Sequence, residues 1–170
     1  MYWAAWWIYA LVMSVLLGAV LAFAFWIAAF YDANVTLLIC FFFLVNLSVF
    51  SVVFAMQAVC FTRHQGVLFL TFVFLVMLSP HSVIEQGHLP VPEDYKRRFS
   101  FSAMVAAKET MNLLTAFSSF KYGLNFDNYN EQMNNYSVEF GMRMLGIDII
   151  IYFLIGCALE ACVFLVKFLL

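Results

Sequence analysis

Charged side chains are scarce in this sequence. Its 170 residues include 8 Lys and Arg and 10 Asp and Glu, so that 11% of the chain is charged while 66% is hydrophobic. Residues 1–31 and 33–62 carry no charged side chain at all. A helix of about 20 consecutive apolar residues crosses a bilayer, and ordinary soluble domains lack such stretches. The composition therefore excludes a soluble globular domain and predicts an integral, multi-pass membrane protein.

Three further absences narrow the range of functions. The net charge is −2 and there is no basic tract, so nucleic acid is not an expected partner. None of the four cysteines lies in the two polar loops, so no disulfide framework is predicted. The chain has no Gly-x-x-x-x-Gly-Lys-[Ser/Thr] phosphate loop and no catalytic or metal-ligating constellation. We therefore expect neither enzyme activity nor a bound cofactor in this chain.

The apolar runs predict an all-α membrane architecture. Four spanning helices are predicted, over residues 3–30, 35–61, 66–84 and 141–168. Residues 99–120 are different, because they are apolar at both ends but are interrupted by Lys108 and Glu109 and are rich in Ser, Thr and Asn. Such a segment is too polar for a confident spanning helix. We predict a re-entrant or interfacial helical hairpin there, with its polar groups covered by protein or water.

Two of the predicted helices carry patterns that are typical of helix packing. The first has small residues at every fourth position of one face, namely Ala10, Ser14, Gly18 and Ala22. Such a face allows another membrane helix to approach closely. The second helix carries Asn46 and Gln57, which nearly eclipse each other on the helical period and are expected to face protein. Interhelical hydrogen bonding is favoured over substrate contact for these amides, because an amide in hydrocarbon needs a partner.

The orientation of the chain in the membrane is ambiguous from its charges. The basic residues 96–98 would place the loop before residue 99 in the cytosol by the positive-inside rule. Two glycosylation-type triplets begin at Asn34 and Asn135, and such triplets are used only outside the cytosol. They share one side only if residues 99–120 do not cross the membrane. We adopt this second orientation, with Asn135 as the candidate glycosylation site.

The last predicted helix places two carboxylates in an otherwise apolar stretch. Measured from Gly141, Glu160 lies about 28 Å along the helix, near the far edge of a core about 30 Å thick, and is expected to stay solvated. Asp148 lies about 10 Å in from Gly141 on the same measure. A charge at the bilayer centre costs at least about 2.5–3.5 kcal/mol, so Asp148 is expected to face the protein interior with a partner.

The predicted partners of Asp148 are Tyr152, one turn further along the same face, and Lys108 of the hairpin. Arg143 is better placed to pair with Glu139, four residues before it. Two roles stay open for Asp148. It either locks the last helix to the hairpin, which is the favoured reading, or helps to shape a polar groove through which a lipid headgroup moves.

Three blocks of the sequence also carry a family resemblance. They are, in chain order, the aromatic residues within 2–8, then Gly123, Phe126 and Asn128 in the loop before the last helix, and finally Asp148, Tyr152 and Glu160. In this order and spacing the blocks resemble the ATP-binding cassette (ABC) transporters of subfamily A, which are large lipid exporters. The resemblance covers nearly the whole chain.

This resemblance implies that the chain forms the third to sixth membrane helices of one six-helix half of a transporter. Its function would be to move lipid across a membrane, with ATP and Mg²⁺ bound by a nucleotide-binding domain that this chain lacks. The implied partners are membrane lipid and either the missing transporter parts or a full-length relative. The alternative is a non-transporting membrane assembly or regulatory protein, which would dock on a full-length relative through the small-residue face of the first helix.

Overall fold

The computed structural model describes residues 2–57, 66, 71–73, 75–76, 95–120, 123–133 and 136–169. Within these residues the chain is helical, with no β-strand beyond an isolated bridge between Met133 and Tyr136. The named helices are α1 (Tyr2–Ala28), α2 (Val35–Gln57), α3 (Tyr95–Phe99), α4 (Ala103–Ser119) and α5 (Val138–Leu169).

Three of these helices, α1, α2 and α5, are long and apolar enough to cross a membrane. Their candidate spanning segments are Ala4–Ala28, Val35–Gln57 and Val138–Val163. The prediction of a helical membrane protein is therefore supported at this level. The helix predicted over residues 66–84 is described only at residues 66, 71–73 and 75–76, which are helical, and its other residues lie outside the described part of the chain.

The last helix begins earlier than predicted, at Val138 rather than Gly141. Ser137 precedes it and caps it, because the backbone N–H of Phe140 donates to Oγ of Ser137 at 3.2 Å. The N–H of Glu139 donates to the carbonyl of Tyr129 at 3.0 Å, which satisfies a second N–H of the first turn. This capping adds about 4.5 Å to the helix ahead of Gly141.

The hairpin predicted over residues 99–120 is not formed in that shape. A tight turn at residues 100–102 leads instead into α4, one continuous helix with no break at Lys108 and Glu109. The physical reason is that α4 is amphipathic. Ala106, Leu113 and Phe117 form a buried stripe, and Glu109 is buried on the same side, while Lys108 lies on the opposite side and is partly exposed. Both charged residues are therefore accommodated within one continuous helix.

Helices α1 and α2 pack antiparallel along the small-residue face of α1. Ala10, Ser14, Gly18 and Ala22 are all buried, and a Cβ added at Gly18 would lie 3.0 Å from the backbone nitrogen of Phe43. The four small residues are therefore buried in this structure, and Gly18 lies against the backbone of α2. The opposite face of α1 stays exposed, with large apolar side chains that suit contact with lipid.

Helix α5 runs in the same direction as α2 and packs beside it. Both begin at the loop of residues 123–133, because Asn34 donates its N–H to the carbonyl of Leu124 at 2.9 Å and Glu139 donates to Tyr129. Further along, a Cβ added at Gly156 would lie 2.5 Å from the ring of Phe54 and 3.2 Å from Cα of Ala55. We call the end of the molecule that holds residues 29–34 and 123–133 the loop end.

Candidate functional site

Asp148 lies near the centre of the membrane-spanning part of α5. It follows Val138, the first residue of the candidate span, by ten residues, or about 15 Å at 1.5 Å per residue. A hydrocarbon core is about 30 Å thick, so a core that begins at Val138 has this carboxyl group close to its midplane. Measured from Val138 instead of Gly141, Asp148 lies about 5 Å further along the helix, because Ser137 caps the helix one turn earlier.

Polar residues of α1 and α2 lie at the same depth as Asp148. Gly156 of α5 packs against Ala55 of α2, and the two helices are parallel. Asp148 precedes Gly156 by eight residues and Leu47 precedes Ala55 by eight residues, so Asp148 and Leu47 lie at the same level. Gly18 of α1 packs against Phe43 of α2, and these two helices are antiparallel. Ser14 lies four residues before Gly18 and Leu47 lies four residues after Phe43, so Ser14 is also level with Leu47. We call Ser14, Asn46 and Asp148 the midplane layer.

The midplane layer contains polar atoms that are buried and unsatisfied. Asp148 is 1% exposed and Ser14 is fully buried. Oδ2 of Asp148, Oγ of Ser14 and Nδ2 of Asn46 have no hydrogen-bond partner among the described residues. An unsatisfied polar group in an apolar interior costs free energy, so a set of three on different helices is a candidate functional feature.

The neighbouring serines show the usual alternative. Ser48 and Ser51 of α2 are buried, and their hydroxyl groups donate to the carbonyls of Val45 and Leu47, both at 2.8 Å. Helical serines in a membrane commonly satisfy themselves in this way. Asn46 was expected to form an interhelical hydrogen bond, but its buried nitrogen finds no partner in the described part of the chain. Gln57, predicted to share its protein-facing side, is exposed at the end of α2.

The predicted partners of Asp148 do not reach its Oδ2. Oδ2 of Asp148 accepts a hydrogen bond neither from Lys108 nor from Tyr152, which lies partly buried one turn further along α5. The reason for the first failure is geometric. Lys108 is two positions from both Ala106 and Thr110, the buried residues of α4, and a step of two positions turns a helix by about 200°. Its side chain therefore leaves α4 on the far side from that stripe.

Arg143 and Glu160 are two further charged residues of α5 for which the sequence suggested a position. Arg143 forms an ion pair with Glu139 across one helical turn, as predicted. Glu160 lies twelve residues beyond Asp148, or about 18 Å, which takes it to the end of the span opposite the loop end. Its side chain is partly exposed.

A second buried polar cluster, which the sequence did not reveal, surrounds Tyr136 just before α5. Oγ of Ser100 donates to the hydroxyl of Tyr136 at 3.1 Å, and Thr110 also hydrogen-bonds to it. Gly141 makes room for this cluster, because a Cβ there would collide with Oγ1 of Thr110. We call Ser100, Thr110 and Tyr136 the tyrosine cluster. Its members lie far apart in the sequence and follow no spacing rule, so no sequence pattern predicted the cluster.

Burial raises the pKa of Tyr136 above its ordinary value of 10.0. The side-chain hydrogen bonds that Tyr136 makes with Ser100 and Thr110 oppose this rise, while the negative charges of Glu109 and Asp148 add to it. Tyr136 is therefore neutral at physiological pH and holds its hydroxyl hydrogen. The cluster ties the residues before α4 to those before α5, so its role in the structure is to join these two helices.

The loop that carries the family resemblance is held together by Asn128. The N–H of Asn125 donates to Oδ1 of Asn128 at 2.7 Å, and Nδ2 of Asn128 donates to the carbonyl of Gly123 at 3.0 Å. Gly123 packs against the carbonyl of Asp32, where a Cβ would collide. Gly123 and Asn128 therefore have structural roles, whereas the side chain of Phe126 is exposed.

The two glycosylation-type triplets differ in how far they can be described. Asn135, the candidate acceptor, lies outside the described residues. Asn34 caps α2, since the N–H of Thr36 donates to its Oδ1 at 2.9 Å. Among the described residues no group of three or more His, Cys, Asp or Glu side chains could hold a metal ion.

The fold and the midplane layer together define a helical membrane protein with buried polar groups at the centre of its candidate spans. No family model, no curated protein and no solved structure matches the chain. The resemblance to the ABC transporters of subfamily A therefore stays a prediction from the sequence.

Proposed function

We propose that this chain is the membrane portion of a lipid transporter of the type that subfamily A represents. In this proposal the spanning helices guide a lipid between leaflets, and ATP is hydrolysed by a nucleotide-binding domain outside these residues. Asp148 offers the lipid headgroup a polar contact at the depth where hydrocarbon otherwise opposes its passage. The partners are membrane lipid and the remaining parts of the transporter.

The observation that carries the proposal is the carboxyl group of Asp148, which is buried near the centre of the candidate span, with no hydrogen-bond partner for Oδ2 among the described residues. An ionisable residue inside a membrane is by default a candidate functional site, because such residues mark substrate and ion pathways. Substrate sites of transporters commonly lie near the bilayer midplane. The competing structural role is a lock between α5 and the segment of Lys108, and it is less favoured because Lys108 leaves α4 on the side away from the buried stripe of that helix.

Lipid translocation in reconstituted vesicles tests this function. The tagged full chain is purified in mild detergent with the proteins that accompany it, and is reconstituted with a fluorescent phospholipid. Dithionite, which bleaches only the outer leaflet, then reports lipid distribution with and without Mg²⁺ and ATP. We expect ATP to redistribute the lipid, and Asp148→Asn to slow that movement several-fold.

Asp127→Asn is the matched control, because Asp127 is an exposed carboxylate in the loop before α5 and should leave the rate unchanged. If the preparation hydrolyses ATP but moves no lipid, the proposed function is contradicted. If the Asp148→Asn protein moves lipid at the parent rate, transport stands but the role of Asp148 in it does not.

The alternative function, a non-transporting assembly or regulatory protein, needs a different docking surface from the predicted one. The small-residue face of α1 is already covered by α2, so it is not open to a full-length relative. The apolar surface left on α1 includes Ile8, Val20 and Ile27. A preparation with stable partner proteins, normal ATP hydrolysis and no lipid movement would favour this alternative.

A further inference from the structure

Three large aromatic side chains are exposed at the loop end, each on a different segment. Tyr31 lies in the turn between α1 and α2, Phe120 follows α4, and Phe126 lies in the loop before α5. Their exposed fractions are 63%, 72% and 48%. Single exposed apolar residues are common on proteins, but three on segments that converge at one place form a patch that needs a partner.

Direct contacts bring the three segments together around the turn of residues 29–34. Oγ of Ser118 donates to the carbonyl of Ala29 at 2.7 Å, which holds the end of α4 against the end of α1. Gly123 packs on the carbonyl of Asp32, and Asn34 donates to the carbonyl of Leu124. Each exposed aromatic is therefore within three residues of a contact with this turn.

The turn lies at the edge of the membrane. The candidate span of α1 ends at Ala28 and that of α2 begins at Val35, so residues 29–34 connect two spans where hydrocarbon meets the headgroups. Trp and Tyr are enriched at this depth in membrane proteins, and Phe is among the apolar residues that insert at the headgroup boundary. The three segments meet at the ends of two candidate spans, which favours lipid as the partner of the exposed aromatic side chains.

We propose that Tyr31, Phe120 and Phe126 form an aromatic anchor that inserts into the interface of the bilayer. The anchor holds the end of α4 and the loop of residues 123–133 down on the membrane surface at the ends of α1 and α2. The anchor assigns a membrane-binding role to Phe126, whose side chain is exposed. Gly123 and Asn128, the other two residues of this loop that carry the family resemblance, have structural roles. The inference depends on the spanning helices and is independent of the proposed lipid transport.

Tryptophan fluorescence in vesicles of phosphatidylcholine tests the anchor. Phe126→Trp and Phe120→Trp are made separately in the full chain, and the emission of the parent protein, with its four native tryptophans, is subtracted. Two vesicle preparations contain lipid brominated either near the headgroup or near the acyl-chain end. We expect the added tryptophan to be quenched in both variants. The shallow bromines should quench it roughly twofold more than the deep bromines, or better, because an aromatic residue of the interfacial belt lies at headgroup depth.

Two control positions bracket the expected depth. Ile150→Trp, on the exposed side of α5 within its span, should be quenched more by the deep bromines. Asn130→Trp, exposed in the same loop as Phe126, should be quenched by neither. The proposal is overturned if the tryptophans at positions 120 and 126 escape both brominated lipids while iodide in the buffer quenches them. Deep quenching of both, equal to that of Ile150→Trp, would overturn it too.

Discussion

At the scale of single residues, glycine decides where two segments can touch. Gly141 lies in the first turn of α5 and leaves the space that Oγ1 of Thr110 occupies. Gly146, on the same helix, has no neighbouring atom within 4 Å of where its Cβ would be. The two positions differ in their surroundings and share the same backbone conformation, so they make a matched pair.

We expect Gly141→Ala to lower the stability of the protein and Gly146→Ala to leave it unchanged or higher. The added methyl group at position 141 overpacks the contact between α4 and α5, which typically costs about 1–3 kcal/mol. At position 146 it only improves helix propensity, by about 1 kcal/mol at most. The midpoint of thermal unfolding in detergent measures both. Thr110→Ala should restore part of the loss in Gly141→Ala, and equal midpoints for the two alanine variants would contradict the packing.

Asn128 is the other residue whose side chain organises a segment. Its amide group makes two hydrogen bonds within the loop, and each contributes about 0.5–1.5 kcal/mol net. We expect Asn128→Ala to loosen residues 123–130 and to speed their cleavage by a protease several-fold. Asn125→Ala is the control, because Asn125 contributes only backbone groups to this network, its N–H and its carbonyl. Equal cleavage rates in the two variants would show that Asn128 does not hold the loop.

At the scale of helices, the contact between α1 and α2 depends on small side chains. Gly18 lies against the backbone of Phe43, so a large side chain at this position cannot fit unless the helices separate. Gly18→Leu should therefore reduce the yield of folded, monodisperse protein and lower its unfolding midpoint. Val15→Leu, on the exposed side of α1, should change neither. Size-exclusion chromatography with thermal unfolding compares them, and a stable Gly18→Leu protein would exclude this packing.

Most of the spanning architecture could be predicted from the sequence because hydrocarbon imposes simple rules. Long apolar runs predicted α1, α2 and α5, and the four-residue spacing of small side chains predicted the buried face of α1. These features depend on local sequence alone. Helix α4 was harder, because Lys108 and Glu109 were taken as an interruption of the segment, whereas both lie within one continuous helix, Glu109 buried and Lys108 partly exposed.

The polar interior could not be predicted in the same way, because it depends on how helices are rotated against each other. Lys108 was an attractive partner for Asp148 by charge, yet it leaves α4 on the side away from the buried stripe of Ala106, Leu113 and Phe117. The tyrosine cluster joins Ser100, Thr110 and Tyr136 only after the chain has folded. The common depth of Ser14, Asn46 and Asp148 likewise follows from the directions and offsets of three helices.

At the scale of the whole molecule, a stable frame of helices surrounds one buried carboxyl group whose presence stability does not explain. The frame consists of α1 packed on α2, α5 beside α2, and α4 joined to α5 through the tyrosine cluster. Within it, Asp148 carries a carboxyl group near the centre of a candidate span, and its Oδ2 has no hydrogen-bond partner in the part of the chain that the structure describes. A group retained despite such a cost belongs to function, and the proposed passage of a lipid headgroup gives it a use.

The most direct test of this central claim is the thermal unfolding midpoint of Asp148→Asn in the full chain, measured with Lys108→Met and the double variant. The account predicts that Asp148→Asn unfolds at the parent temperature or above, because the substitution removes an unsatisfied carboxyl group from the interior. It also predicts that the effects of the two substitutions add, since the side chains do not interact. A markedly lower midpoint for Asp148→Asn, coupled non-additively to Lys108→Met, would show that Asp148 is a structural lock and would contradict the account.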